Sequence, residues 1–117
     1  MAVIRVDNLR LRTILGINDE ERVNKQDIII NYSMELDITE AANSDDVSNT
    51  VDYKSVTKRI IALVEASDYF LVETLVTRLL ELIFEEPRVI RATVRVDKPS
   101  ALRFADSVSV EESMTRA

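Results

Sequence analysis

Four short runs hold most of the side chains that could do chemistry: Asn18-Asp19-Glu20-Glu21, Val51-Asp52-Tyr53, Leu71-Val72-Glu73, and the stretch from Asp97 and Lys98 through Arg103 to Ser107. The chain has no Cys and no His, so a disulfide framework, a thiolate nucleophile, a Ser-His pair and a standard zinc site are all excluded. Proton transfer falls to Lys, Tyr, Asp, Glu or water, each tuned by its surroundings. Every one of these residues also has a plainer role open to it. Glu73 in the first turn of a helix is favoured by the helix dipole whatever else it does. Lys98 before Pro99 reads as a polar strand end, Tyr53 as a packing anchor with a wet hydroxyl, and Glu20 and Glu21 as a charged loop.

The elements that must position these runs are visible in the period of the apolar residues. From about Val3 to Leu15, Leu9 and Leu11 alternate with Arg10 and Arg12, the period of a strand with two unlike faces, and Gly16 ends it. Ile28, Ile30, Tyr32, Met34, Leu36 and Ile38 then point one way, with Asn31, Ser33, Glu35 and Asp37 opposite. The loop from Gly16 to Gln26 joins this antiparallel pair. Thr39 to about Asp52 is polar and acidic and reads as a long surface connection. Val56, Ile60, Leu63 and Val64 recur at helical spacing to about Ala66, with Asp52 or Ser55 as cap. A second helix from about Leu71 to Phe84 turns Leu75, Leu79, Leu82 and Ile83 inward and stops before Pro87. Period two returns at Ile90, Ala92, Val94 and Val96, and again at Val108 and Val110. The order β-β-α-α-β-β predicts an α+β fold, an antiparallel sheet with both helices packed on its apolar face.

At 117 residues the chain reads as one domain, 1–117, burying roughly 65% of its unfolded surface with a radius of gyration of about 13 Å. A core fits in that size but a deep internal pocket does not, so a sizeable ligand calls for a second subunit. The formal charge of −6 argues against a nucleic-acid partner, since phosphate contacts need a basic surface. No uncharged stretch is longer than Ile28 to Met34, too short for a membrane span or signal peptide, which makes a cytoplasmic location the default. The second sheet face carries Arg10, Arg12, Arg91 and Arg95 beside Glu35 and Glu111. It is either a wet surface or the wall of a barrel built by several subunits.

Leu9-Arg10-Leu11-Arg12-Thr13 leading into Gly16-Ile17, the run Asp27-Ile28-Ile29-Ile30-Asn31, and above all Ala101-Leu102-Arg103-Phe104-Ala105-Asp106-Ser107-Val108-Ser109 carry a likeness. Over nearly its whole length the chain resembles the dihydroneopterin aldolase family, and within it the members that epimerise dihydroneopterin triphosphate. Typical aldolases have Tyr or Trp in the loop before the matching glutamate, where this chain has Asn18-Asp19-Glu20-Glu21. Pro99 is the aldolase-like departure from that pattern.

The resemblance implies the tunnelling fold, in which four subunits close a ring around a barrel and two rings stack as a homo-octamer, with active sites between neighbours. It implies that Glu73 accepts a pterin ring N–H and the exocyclic amine in a bidentate pair. Burial of Glu73 at the helix start would add backbone N–H groups to that grip. Val72 and Val51 are implied to line the pterin, Val51 from the neighbouring subunit. The implied reaction is reversible cleavage between side-chain carbons 1' and 2', with the ring C=N as electron acceptor and therefore no cofactor, metal or Schiff base. Lys98 matches the catalytic lysine, Tyr53 from the adjacent subunit the proton donor to the cleaved enamine, and Glu21 the acid touching the hydroxylated side chain. An amine that trades protons near neutrality needs desolvation or a nearby cation, and Arg103 is the expected one. Arg103 is also the expected contact to the triphosphate, ahead of Arg10 and Arg12. Re-addition after the aldehyde turns over inverts carbon 2', giving the monapterin epimer; release of glycolaldehyde makes the enzyme an aldolase. A silent pterin-binding ring subunit is the alternative from outside enzymology.

Overall fold

In the computed structural model, which describes residues 1–117, the alternating segments form four strands in one antiparallel sheet of order β1-β2-β3-β4. They are β1 (Ala2–Thr13), β2 (Gln26–Leu36), β3 (Arg91–Lys98) and β4 (Val108–Thr115). Two long helices, α3 (Tyr53–Ala66) and α4 (Val72–Ile83), cover one face. Ile28, Ile30, Met34 and Leu36 of β2 are fully buried beneath Val56, Ile60 and Val64 of α3 and Leu75, Val76, Leu79, Leu80 and Ile83 of α4. The other face holds pairs of unlike charge and hydroxyls: Arg91 with Glu35 at 3.1 Å, Arg12 with Asp27 at 3.2 Å, and Thr93 with Ser113 at 2.7 Å.

β1 reaches the core from both halves because it carries a bulge. The pairing steps from Val6↔Tyr32 to Leu9↔Ile30, so β1 holds one residue more than β2 there, and Asn8 takes a positive φ of 56°. An inserted residue flips the strand's parity, which lets Ile4 and Val6 and then Leu9 and Leu11 all pack against the core. Asn31 Oδ1 accepts the Asn8 N–H at 2.8 Å and satisfies the group the bulge frees. At the far end of β1, buried Thr13 donates its hydroxyl to the carbonyl of Val64 at 2.8 Å, fastening the strand to the last turn of α3.

Three boundaries differ from those expected. The Gly16–Gln26 loop contains a short helix α1 (Asp19–Val23), and the acidic connection contains α2 (Thr39–Ser44) and a 3₁₀ turn, Val47–Asn49. Helices this short bury no residue and so leave no apolar period to read. Ile38 and Ile90 lie outside their strands and are exposed, because β2 stops at Leu36 and β3 starts at Arg91. α3 is capped as expected by Asp52, whose carboxylate accepts the N–H groups of Lys54 and Ser55, a contact worth about 1 kcal/mol. The protomer is also longer than a globule of its size: its radius of gyration is 15.5 Å and its long axis 52 Å, against the about 13 Å of a compact chain. No helix is long and apolar enough to cross a membrane.

Candidate active site

Lys98 ends β3 and is only 8% exposed. A buried ammonium is costly unless paired, and the partner here comes from 77 residues away: Lys98 Nζ donates to Glu21 Oε2 at 2.7 Å. The same oxygen accepts Gln26 Nε2 at 3.2 Å, and Oε1 accepts the backbone N–H of Asn18 at 3.2 Å. The Lys98 ammonium above all, with the Gln26 and Asn18 donors behind it, holds the Glu21 carboxyl below its usual range even though burial pushes the other way. Residue 16 is the chain's single glycine for a local reason. Its φ is +140°, and a Cβ there would lie 2.2 Å from Glu21 Cδ, so the carboxylate occupies space that only a missing side chain leaves open.

Arg22, next to Glu21, ties this loop to the α3–α4 connection. Its guanidinium donates to the carbonyls of Asp68 at 2.7 Å, Gly16 at 3.1 Å and Tyr69 at 3.2 Å, and lies 3.9 Å from the centre of the Phe70 ring. The Gly16 N–H donates to the Tyr69 carbonyl at 3.2 Å. That connection runs straight into Val72 and Glu73, so one cation sets the position of the acid-bearing loop relative to the start of α4. On the other side of Lys98, Asp97 accepts Arg95 at 2.8 and 3.2 Å and the Ser107 hydroxyl at 3.0 Å. Arg95 chiefly keeps the Asp97 carboxyl low, and the network pins the β3–β4 hairpin loop beside Lys98.

The other expected residues are placed differently. Glu73 lies in the first turn of α4, where no side chain caps the helix, and it is exposed in the protomer rather than buried. Val72 is 9% exposed, at the edge of the core. Val51 is 2% exposed and belongs to its own protomer's core, so its side chain has almost no surface with which to line a neighbour's pocket. Arg103 is exposed on the hairpin loop, stacked 5.4 Å over Phe104. It does not reach Lys98; the charge beside Lys98 is the Glu21 carboxylate, the reverse of the expected cation. Arg12 is engaged with Asp27 and with the Lys25 carbonyl at 3.0 Å.

Tyr53 is half exposed and lines an open groove with Ile4 and Val6. Lys98 sits at the other end of the sheet: Asp97, its neighbour, is level with Ile29 and hence with Arg10. Counted along β2, which has no extra residue, the groove residues Ile4 and Val6 are level with Met34 and Tyr32 and Lys98 lies one residue beyond the level of Ile29, a separation of roughly 14–20 Å at about 3.4 Å per residue, so Tyr53 and Lys98 of one protomer do not meet across one pterin ring. Gly16, Gln26, Arg22 and Asp97 were not singled out as site residues from sequence. The one usable signal was the solitary glycine two residues before an acidic run, and its meaning depends on a backbone angle.

The FolB dihydroneopterin aldolase family model matches residues 4–113. The chain is 46% identical over 110 residues to a dihydroneopterin triphosphate 2'-epimerase from Pseudomonas aeruginosa, covering 94% of this chain and 89% of that one. It is 44% identical over 115 residues to the enzyme of the same name from Escherichia coli K12, covering 98% and 96%. Its fold matches the crystal structure of E. coli dihydroneopterin aldolase in complex with neopterin with a TM-score of 0.92 at 25% identity, over 97% and 99% of the two chains. The matched span takes in α1 with Glu21, the end of β3 with Lys98 and both long helices, and on that footing the chain belongs to the FolB dihydroneopterin aldolase family.

Proposed function

We propose that this protein epimerises carbon 2' of 7,8-dihydroneopterin triphosphate, giving 7,8-dihydromonapterin triphosphate by retro-aldol cleavage and re-addition. The observation that carries the reading is the Lys98–Glu21 pair at 2.7 Å, a buried ammonium on a partly exposed carboxylate, set in a chain whose relatives bear the epimerase name over almost their full length. The 2'-hydroxyl loses its proton to the couple, the C1'–C2' electron pair moves into the ring, and the ring nitrogen is protonated, leaving an enamine and an aldehyde. Glu21 orients the hydroxylated side chain and Lys98 carries the proton. Glu73 accepts the pterin's paired donors, with the uncapped first turn of α4 favouring its negative charge, and Val72 packs against the ring.

Tyr53 enters from a neighbouring copy and protonates the enamine if the aldehyde escapes. Three features support a ring of subunits completing each site: the separation of Tyr53 from Lys98 within one chain, the free edges of β1 and β4, and the elongated protomer. In such a barrel the Arg-rich face lines the lumen. Val51, buried in its own core, anchors the chain immediately before Asp52 and Tyr53. Incubating the purified protein with dihydroneopterin triphosphate and separating the products by chromatography tests the reading. Monapterin triphosphate without stoichiometric aldehyde is the expected result. Aldehyde release in step with substrate loss would make it an aldolase, and pterin binding without turnover a silent ring subunit.

A further inference from the structure

The groove beside Tyr53 is lined by Ile4, Arg5, Val6, Lys54, Thr57 and Lys58 and encloses about 490 Å³. In a chain of net charge −6 its side-chain cations are Lys54 and Lys58, with no carboxylate; Arg5, between Ile4 and Val6 on β1, turns its side chain to the opposite, polar face beside Asp7 and Glu111. Eight of the fifteen Lys and Arg side chains are in ion pairs, and neither of these two lysines is among them. Lys54 and Lys58 are one helical turn apart on α3, so their side chains rise from the same face. The Asp52 carboxylate already takes the first N–H groups of the helix, which leaves the side-chain cations themselves as the groove's unsatisfied donors. Two like charges one helical turn apart without counter-ions repel each other. The pair is relieved by an anion with several charges spread along a chain.

We propose that Lys54 and Lys58 bind the triphosphate of the substrate whose pterin is held in the neighbouring copy's site. This rests on the proposed reading in which Tyr53, on the same groove, completes that site. The triphosphate is carried on the 3' oxygen, so after the C1'–C2' bond breaks it belongs to the two-carbon aldehyde and not to the pterin. A tether on the phosphates holds the aldehyde while it presents its other face to the enamine. The reverse step forms the C1'–C2' bond, returns the ring nitrogen's proton and protonates the new 2' oxygen. The groove therefore decides between re-addition and release.

The test uses Lys54→Gln and Lys58→Gln in the full chain, with assembly checked by size. For each, the ratio of kcat/KM on dihydroneopterin triphosphate to that on unphosphorylated dihydroneopterin is expected to fall about tenfold, the worth of one charge-assisted contact. The share of phosphorylated aldehyde released per turnover is expected to rise. Calorimetric titration with inorganic tripolyphosphate is expected to show binding to the wild type that weakens in each variant and with added salt. The titration decides the groove even if the wild type turns over neither pterin, an outcome that would remove the epimerase reading alone. Equal losses on both substrates, or variants that fall to smaller species, would assign the cations to holding the neighbouring copy and overturn the proposal. So would a wild type that ignores tripolyphosphate.

Discussion

The two ends of the sheet are finished to different degrees. At the Lys98 end the charged groups around the couple meet partners inside the protomer: Lys98 with Glu21, Glu21 with Gln26 and the Asn18 N–H, Arg22 with three carbonyls, and Asp97 with Arg95 and Ser107. At the Tyr53 end the phenol is half exposed and two lysines share a groove without a carboxylate. Buried polar groups are satisfied in native proteins, so the first end is a device the chain completes alone. The second is half of one. An enzyme built in this way keeps its proton-moving couple rigid in each subunit and makes only the closing wall of the site depend on assembly.

Removing the couple is the largest disturbance. Lys98→Ala is expected to lower kcat about 10³-fold, within the range for a positioned acid-base group, while a fluorescence titration with neopterin keeps its affinity. A variant that lost binding instead, with kcat intact, would place Lys98 outside the chemistry. The equivalent cut at the open end is Tyr53→Phe, expected to cost roughly 10²-fold in release of the cleaved pterin, the step that protonates the enamine, while epimerisation continues. It also tests whether the ends really belong to different subunits. Neither single variant releases the cleaved pterin appreciably, but subunits dissociated, mixed in equal amounts and reassembled should regain about a quarter of the wild-type rate of that release, because in a head-to-tail ring that share of interfaces pairs an intact Lys98 with an intact Tyr53. No recovery in assembled mixed rings would put both residues in one protomer's site.

A smaller loss is expected at the glycine that makes room for the couple. Gly16→Ala puts a Cβ where Glu21's carboxyl group lies and forces alanine to φ +140°, a backbone strain of about 1–3 kcal/mol. Chemical denaturation should show a loss of that size, and turnover should fall by about tenfold as Glu21 is pushed off Lys98. A Gly16→Ala protein with full stability and full turnover would mean the acid loop is free to move, and that the contrast between a finished and an unfinished end is overdrawn.

How much of this was legible beforehand follows from the range of each interaction. Strands and long helices repeat their apolar residues every two or roughly 3.6 positions, and α4 was legible to about a residue at each end, with β2 and α3 legible to about three. α1 and α2 were missed because five or six residues that bury nothing leave no period. The β1 bulge left a trace, a change of parity between Ile4, Val6 and Leu9, Leu11, but only the Asn8 angle turns that trace into geometry. Glu21 and Lys98 were named by family likeness, yet nothing local says that residues 77 apart share a hydrogen bond. Arg103 is close to Lys98 in sequence, but where a hairpin loop turns its side chain is not written there: in the protomer it is exposed and stacked over Phe104. Arg22 showed nothing in sequence because its partners are backbone carbonyls, which every residue has.

The smallest expected effect sharpens the comparison by pH. Glu21's carboxyl is held below its ordinary value of 4.5, chiefly by Lys98. A carboxyl depressed by folding contributes stability above its unfolded value and loses it as the pH falls through the lower, folded one. Glu21→Gln should therefore cost about 1 kcal/mol near neutrality, the scale of a partly exposed ion pair, with the gap to wild type constant down to about pH 5. Below that the gap should close, since protonating Glu21 does to the wild type what the substitution has already done. Urea midpoints for both proteins at a series of pH values check it. A gap that persists unchanged far below the ordinary carboxyl range would mean the substitution acts through packing around Gly16 and Gln26 rather than through charge. The finished end of the sheet would then be held by shape, with its ion pair kept for chemistry alone.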